Sequence, residues 1–410
     1  MKKKWQKKCK LRTTVFEVLK PLPPDAILGI KELFSQDRDP NKVDLSVGVY
    51  QDEGGLTPVP KAVRLAEQQV IQAQTTKTYV AIAGNAEFNH QMELQLFGSD
   101  HRAFCDGRIS TVQTPGGSGG LSVAAEIICR AQPDAKICLS DPTWPNHKPL
   151  LSLPGLKLQQ YPYYDYVNHK INFEKMVSTM KTLGSGDVVV LHGCCHNPCG
   201  ADLSPDQWGI LAELFGQRGI TPLIDLAYQG LSEGLEEDVY GIRLMAESLP
   251  EMIVVASCSK NFGLYRERVG VISIVSKDTK QAVATLSNAS NIARGIYSMP
   301  PDHGAAIVAS IFCEEELRKL WIQELGEMRE RINGLRRLLV DKLSERESPQ
   351  DFSFIANERG MFSFLGISRP QVIRLREEFH VYLVESSRIN MAGINRSNVD
   401  YVSDAIVGVL

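Results

Sequence analysis

A chain of 410 residues with 43% hydrophobic and 23% charged side chains has the apolar material for one large domain and a smaller one, in the range of ordinary soluble globular proteins. Its formal net charge of −3 argues against the strongly basic face of a nucleic-acid-binding protein, and no apolar run approaches the length of a bilayer-spanning helix. Nine cysteines, an odd number in apolar contexts such as Ile127-Ile-Cys129 and Lys136-Ile-Cys138, favour reduced thiols in a cytoplasmic protein over a disulfide framework.

The chain opens with MKKKWQKKCKLR, which carries seven Lys or Arg and no acid. The stretch that follows, Leu11-Arg-Thr-Thr-Val-Phe-Glu, is too short and too polar for the apolar core of a signal peptide. Residues 1–20 therefore read as a solvated basic tail. From about residue 110 helical and strand patterns alternate. Gly119 to Arg130 reads as a helix, Lys136 to Ser140 and Leu156 to Tyr161 as strands, Phe173 to Leu183 as a helix and Asp187 to His192 as a buried strand. Ser204-Pro205 has the form of an N-cap followed by Pro at the first helical position, opening a helix through Phe215. Thr221 to Asp225, Met252 to Ser257 and Gly270 to Val275 read as further strands.

Helical periodicity is nearly continuous from Pro301 to Leu343, which predicts one long connecting helix. After it come a strand at Gly360 to Leu365, a helix at Arg369 to Phe379, a short strand near Ile389 and a helix at Ser397 to Leu410. Short apolar strands alternating with amphipathic helices define an α/β fold with a mainly parallel sheet covered on both faces, followed by a smaller α/β domain. In such sheets ligands gather at the carboxyl ends of the strands.

Four of those ends are chemically loaded. Gln113-Thr-Pro-Gly-Gly-Ser-Gly-Gly120 is a glycine-rich turn into a helix, where backbone N–H groups and the Ser118 hydroxyl suit a phosphate. Alone it is equally an ordinary turn. Ile224-Asp-Leu-Ala-Tyr228 places Asp225 at the end of an apolar strand and Tyr228 three residues on; by itself such an Asp also serves as a helix cap. Ser257-Cys-Ser-Lys260, followed by Arg268, offers a lysine at a strand exit beside hydroxyls and a guanidinium, a candidate Schiff-base nucleophile next to an anion site. A solitary lysine is more commonly a solvated surface charge. The fourth end is His192-Gly-Cys-Cys-His-Asn-Pro-Cys-Gly200, with three cysteines and two histidines in nine residues. Its adjacent cysteines lack the C-x₂₋₄-C spacing of a zinc site and no second ligand pair stands out, so no metal is expected there.

A phosphate cradle, a carboxylate, a phenol and a lysine together are what pyridoxal 5'-phosphate requires. From about Pro23 to Leu410 the chain resembles the aspartate and aromatic aminotransferase group of the class I (fold type I) pyridoxal-phosphate-dependent aminotransferases. The matching motifs are Ser46-Val-Gly-Val-Tyr50, Asp141-Pro-Thr-Trp-Pro-Asn-His147, His192-Gly-Cys-Cys-His-Asn-Pro198, Asp225-Leu-Ala-Tyr-Gln-Gly230, Ser259-Lys-Asn-Phe-Gly263 and Glu267-Arg-Val-Gly270.

The resemblance implies a large cofactor domain at residues 58–320 around a mainly parallel, seven-stranded sheet. Residues 21–57 and 321–410 would form the small domain, and the enzyme would be a homodimer with shared active sites. Lys260 would bond the cofactor aldehyde and then move the proton. Asp225 would pair with the pyridine nitrogen, supported by His147, while Tyr228 and Asn197 would bond the phenolic oxygen and Trp144 would stack on the ring. The phosphate would lie among Gly117, Ser118, Ser257, Ser259 and Arg268, with Tyr79 reaching in from the second subunit.

For substrates the resemblance implies amino acids and 2-oxo acids. Arg388 would clamp the α-carboxylate with help from Gly48, Asn197 and Trp144, the planar guanidinium suiting bidentate recognition. Arg294 would take the side-chain carboxylate of a dicarboxylic substrate across the dimer interface. The small domain and the segment around Ile27 would close over dicarboxylates and exclude water. The implied reaction moves the amino group of L-aspartate to 2-oxoglutarate. Departures from the group's usual pattern at Cys199, Ser118, Met299 and Gln51 border the site and leave tyrosine and phenylalanine as additional substrates.

Overall fold

The structure, a computed structural model, describes residues 15–22 and 26–410; the basic residues 1–14 and the side chain of Ile27 lie outside the described part. At its centre is a seven-stranded sheet made of β1 (Ile109–Pro115), β2 (Lys136–Asp141), β3 (Lys157–Pro162), β4 (Val188–His192), β5 (Thr221–Leu226), β6 (Met252–Ser257) and β7 (Val269–Val275). The strand order is β1-β7-β6-β5-β4-β2-β3, and β7 alone runs antiparallel to its two neighbours. Every residue of β6 and β7 is buried, as central strands covered on both faces must be.

Successive strand residues point to opposite faces, so one apolar run supplies two cores. Val190, Leu223, Val255 and Ile272 pack with Leu121 and Val123 of helix α1 (Gly116–Ala131). Leu191, Ile224, Val254 and Val271 pack on the other side with Leu211 and Phe215 of helix α2 (Pro205–Arg218). The start of α2 follows from its sequence. Ser204 and Gln207 form a reciprocal capping box with Pro205 behind the cap, and Gly219 at φ 68° ends the helix in the left-handed region.

Two sequence expectations are corrected. Helix α1 begins at Gly116, ahead of the expected Gly119, since helix propensity undervalues a glycine run that tertiary packing holds in a turn. The helix expected from Pro301 to Leu343 is two helices, His303–Cys313 and α3 (Glu315–Glu345), separated at Glu314, which is extended at φ −107° and ψ 116°. Three consecutive acids, Glu314 to Glu316, sit at the new N-terminus, where the helix dipole favours negative charge.

Helix α3 has 31 residues and buries a stripe through Trp321, Leu325, Met328, Ile332, Leu335 and Leu339, at alternating spacings of three and four. Beyond it β8 (Phe362–Phe364) pairs antiparallel with β9 (Arg388–Asn390). Val43 and Asp44 pair in parallel with Val381 and Tyr382, tying the N-terminal segment to the C-terminal part of the chain. Among the described residues no helix is long and apolar enough to cross a membrane.

Candidate active site

The carboxyl ends of β1, β4, β5 and β6 meet at one edge of the sheet because these strands run in the same direction. They surround a cavity of about 240 Å³ lined by Gly48, Gly117, Ser118, Trp144, His192, Asn197, Asp225, Ala227, Tyr228, Ser257, Ser259, Lys260, Arg268, Phe362 and Arg388.

One end of the cavity is built for an anion. Pro115 precedes α1 and offers no side-chain cap, which leaves the first-turn N–H groups of the glycine run without a side-chain partner. Gly116, at φ +70°, lets the Arg268 guanidinium approach so closely that a Cβ there would clash with its Nη2. Arg268 donates to the Ser259 hydroxyl at 3.2 Å, and the Ser257 and Ser259 hydroxyls lie 3.1 Å apart. A helix N-terminus, two hydroxyls and a guanidinium converge there without a carboxylate among the cavity-lining groups at that end, the donor set of a phosphate seat.

The only carboxylate among the cavity-lining residues is Asp225, the fifth residue of β5, side by side with His192 of β4. Its Oδ2 lies 3.0 Å from His147 Nε2, the other imidazole nitrogen lies 2.7 Å from Thr143 Oγ1, and that hydroxyl is 3.3 Å from His192 Nε2. Burial works to raise the Asp225 pKa; the His147 hydrogen bond and imidazole, with the nearby Lys260 amine, outweigh burial and hold the carboxyl below its ordinary range. His192 is held neutral, its pKa depressed by burial and by the neighbouring imidazoles.

Lys260 lies just past the end of β6 with its Nζ 5.1 Å from the centre of the Tyr228 ring. Burial lowers its pKa to about 8, with Asp225 opposing and Arg268 assisting. A neutral amine is thereby within reach near physiological pH, as a nucleophile or a proton carrier must be. The Tyr228 phenol is pushed far up by burial and stays protonated, a donor rather than an anion.

The opposite wall holds a buried guanidinium. Arg388 donates to the Ser46 carbonyl at 2.8 Å and to Asn197 Oδ1 at 3.3 Å, and its guanidinium carbon lies 4.3 Å above the Phe362 ring. Its Nε is buried with no partner among the described residues. A Cβ on Gly48 would meet Phe362 at 2.7 Å, so only glycine lets that segment pass. The Asn197–Pro198 peptide is cis.

Twelve of the residues given site roles in the sequence thus line one cavity, together with His192 of the cysteine-rich strand end, and His147 stands directly behind Asp225. Tyr79, 90% exposed, and Arg294, exposed and bonded to Ser298 on its own helix end, lie outside the cavity of the single chain. Sequence reasoning missed Phe362 and Ala227. An aromatic in a short strand after Gly360 is indistinguishable from core until its partner Arg388 is placed. Cys194, Cys195, His196 and Cys199 are buried, with Cys199 Sγ 3.1 Å from His196 Nδ1 and the two backbone N–H groups of Cys195 and His196 held by Asp202. Among the described residues no group of three or more such side chains is arranged to hold a metal ion.

A parallel α/β sheet with a lysine, a buried aspartate and an anion seat at its carboxyl edge is the architecture of a fold type I pyridoxal-phosphate enzyme. Residues 40–406 match the family model for aminotransferase class I and II, and the chain belongs to that family. It is 46% identical over 396 residues to an aspartate aminotransferase of Salmonella typhi, covering 97% of this chain and 100% of the relative. An aromatic-amino-acid aminotransferase of Pseudomonas aeruginosa is 42% identical over 388 residues, 95% of this chain and 97% of its own. The solved structure of an aromatic-amino-acid aminotransferase from Burkholderia pseudomallei, covalently bound to pyridoxal phosphate, superposes with a TM-score of 0.95 at 42% identity, over 97% of this chain and all of that one. The protein is a pyridoxal-phosphate-dependent transaminase. Its cavity fits that cofactor at both ends, with the donor-rich seat at Arg268 for the phosphate and the ionised Asp225 for the ring nitrogen.

Proposed function

We propose that this transaminase moves the amino group of L-aspartate to 2-oxoglutarate, giving oxaloacetate and L-glutamate in two half-reactions. The observation that carries transamination of an amino acid is Arg388, a buried guanidinium whose Nε has no partner among the described residues, facing the same cavity as Lys260 and Asp225; the choice of aspartate rests on Arg294.

When bound, the cofactor supplies an aldehyde that carries the amino group and a ring that accepts electrons from the substrate's Cα–H bond. Gly117, Ser118, Ser257, Ser259 and Arg268 hold its phosphate. Asp225, kept ionised and oriented by His147, holds a proton on the ring nitrogen. Tyr228 and Asn197 donate to the phenolic oxygen, and Trp144 covers the ring. Lys260 Nζ anchors the cofactor and, once released, takes the Cα proton and delivers it to the carbon that receives it. Arg388 fixes the α-carboxylate, so the Cα–H bond faces that amine. Arg294 selects a second carboxylate from the neighbouring subunit of a homodimer, and Tyr79 of that subunit adds to the phosphate seat. Support for the dimer comes from the solvent-facing apolar side chains Val283 and Ile296, 66% and 49% exposed, on the helix that carries Arg294, and from Ile71, 61% exposed, shortly before Tyr79 in the chain.

In this reading residues 58–320 form the cofactor domain, and residues 21–57 with 321–410 form the small domain. The boundary falls inside α3, so one helix serves both. A cytoplasmic location accords with the buried free thiols. A second substrate reading, aromatic amino acids, is favoured by the serine at position 118 and by Met299 beside Arg294. Turnover of aspartate against phenylalanine with 2-oxoglutarate decides: kcat/KM at least about tenfold higher for aspartate supports the first reading, and the reverse ratio overturns it.

A further inference from the structure

Behind the Arg388 wall lies a buried polar network that the reaction as described does not use. Arg336 of α3, fully buried, spends its guanidinium on one short segment. It donates to the carbonyls of Ile355 at 3.1 Å, Arg359 at 3.1 Å, Gly360 at 2.6 Å and Phe362 at 2.6 Å, and to the Ser363 hydroxyl at 2.5 Å. Glu358 stands 3.6 Å from Arg336, accepts from the Ser363 hydroxyl, and accepts from the Tyr164 hydroxyl at 3.0 Å. Arg336, Glu358 and Tyr164 are each at most 5% exposed. Tyr164 lies just beyond β3, on the far side of the seam from β8.

The segment held this way carries the cavity wall. Phe362 lies under Arg388, and Phe364 is its register partner across β8 and β9. The Arg359 N–H donates 2.7 Å to the Gly200 carbonyl, so the same segment also abuts the loop that carries Asn197. A buried ion pair is a poor source of stability, because desolvation offsets most of the attraction. What five donations to one segment supply is a fixed position.

We propose that Arg336 and Glu358 are positioning residues for the carboxylate clamp: Arg336 sets the height of Phe362 beneath Arg388, and Glu358 ties that strand to Tyr164 of the sheet side. The proposal rests on Arg388 being the α-carboxylate ligand. Both substrates of the reaction share that carboxylate, and the proton transfer at Lys260 is not touched by the network. Loosening it therefore acts on binding of both substrates and spares the chemical step.

The test uses the cofactor-loaded enzyme. Glu358→Ala is expected to raise KM for the amino acid and the 2-oxo acid alike by about tenfold, the scale of one lost charge-assisted hydrogen bond, with kcat changed less than about twofold. Tyr164→Phe, which removes one hydroxyl and keeps the ring, shifts KM the same way by a smaller factor and carries the test if the alanine variant fails to fold. Glu358→Gln keeps one of the two acceptor contacts through its carbonyl oxygen and recovers part of the affinity. Calorimetric affinity for succinate, which has no amino group to react, follows KM through the series. An unchanged KM in both Glu358→Ala and Tyr164→Phe, a fall in kcat at constant KM, or no rescue by Glu358→Gln overturns the proposal. Arg388→Ala run in parallel separates the two levels. If it leaves KM unchanged, the clamp assignment falls and takes the inference with it; if it raises KM while Glu358→Ala does not, the positioning role alone falls.

Discussion

His147 Nε2 lies 3.0 Å from Asp225 Oδ2, with both side chains buried, and Thr143 holds the opposite ring nitrogen at 2.7 Å. The carboxylate accepts from Nε2–H, and the Thr143 hydroxyl fixes the ring through the opposite nitrogen. The charge at the end of β5 is thus both positioned and kept from protonation. Asp225→Asn preserves shape and removes the charge proposed to hold the cofactor's ring nitrogen protonated. It is expected to lower kcat by roughly 10²–10³-fold, the scale of losing one preorganised electrostatic contact, while cofactor still binds. His147→Asn, acting only through Asp225, costs about tenfold. Steady-state rates of the two variants check the order; equal losses would show that His147 does more than orient the carboxylate.

Lys260 makes the cofactor-free protein sensitive to pH in a stated direction. Its amine titrates at about 8 in the folded chain, against an ordinary value of 10.5, because burial disfavours the charged form. Between those values the unfolded chain binds more protons than the folded one, so the unfolding free energy rises with pH. The gain across the window is on the order of 3 kcal/mol and is complete above the unfolded value. Cofactor-free Lys260→Met lacks this component. Its advantage in melting temperature over the wild-type chain is expected to be largest below pH 8 and to shrink steadily toward pH 10. A constant difference across that range would mean that the buried amine is not the source.

Strand β6 was readable residue for residue, since six consecutive apolar or small positions between turn signals leave no other solution, and the placement of Lys260 at its exit was readable with it. Asp225 and Lys260 stand out because a charge at or just past the carboxyl end of a buried strand needs a reason. The break at Glu314 was not readable, because the apolar period runs through it and only packing decides that the chain turns there. The Arg336–Glu358–Tyr164 network was equally hidden. Its members are separated by 22 and by 194 residues and become neighbours only when β8 docks against the sheet. Tyr79 and Arg294 mark another limit, because their resemblance-based roles need a second copy of the chain.

The cysteine cluster yields a prediction about reactivity. Cys194, Cys195 and Cys199 are buried, and burial raises each thiol, to about 11 for Cys195 and well above the ordinary thiol range for Cys194 and Cys199. Cys105 and Cys313 are exposed, but the Cys313 thiol is pushed up to about 11 by partial burial and by Glu87. Since the thiolate is the reacting species, Cys105 should alkylate first among these five, then Cys313, with the cluster protected until the protein unfolds. Peptide mapping after brief treatment with iodoacetamide checks the order. Early labelling of Cys199 would show that the loop bearing Asn197 opens to solvent in the native protein.

The assembly prediction turns on Arg294, which lies outside its own chain's cavity. Arg294→Ala is expected to lower kcat/KM for aspartate by about 100-fold, the scale of a lost bidentate carboxylate contact, while phenylalanine turnover changes little. Lys260→Ala alone should abolish transamination. If Arg294 serves the neighbouring subunit, the two defects fall in the same site of a hybrid dimer when the variants are mixed. A heterodimer then has one site with both defects and one with neither: the chain with intact Lys260 receives an intact arginine from the Lys260→Ala chain. Dissociating and reassociating the variants at equal concentration makes half the dimers hybrids, so about a quarter of all sites recover aspartate activity. Were Arg294 to act on its own subunit's substrate, every hybrid site would keep one defect and mixing would restore nothing.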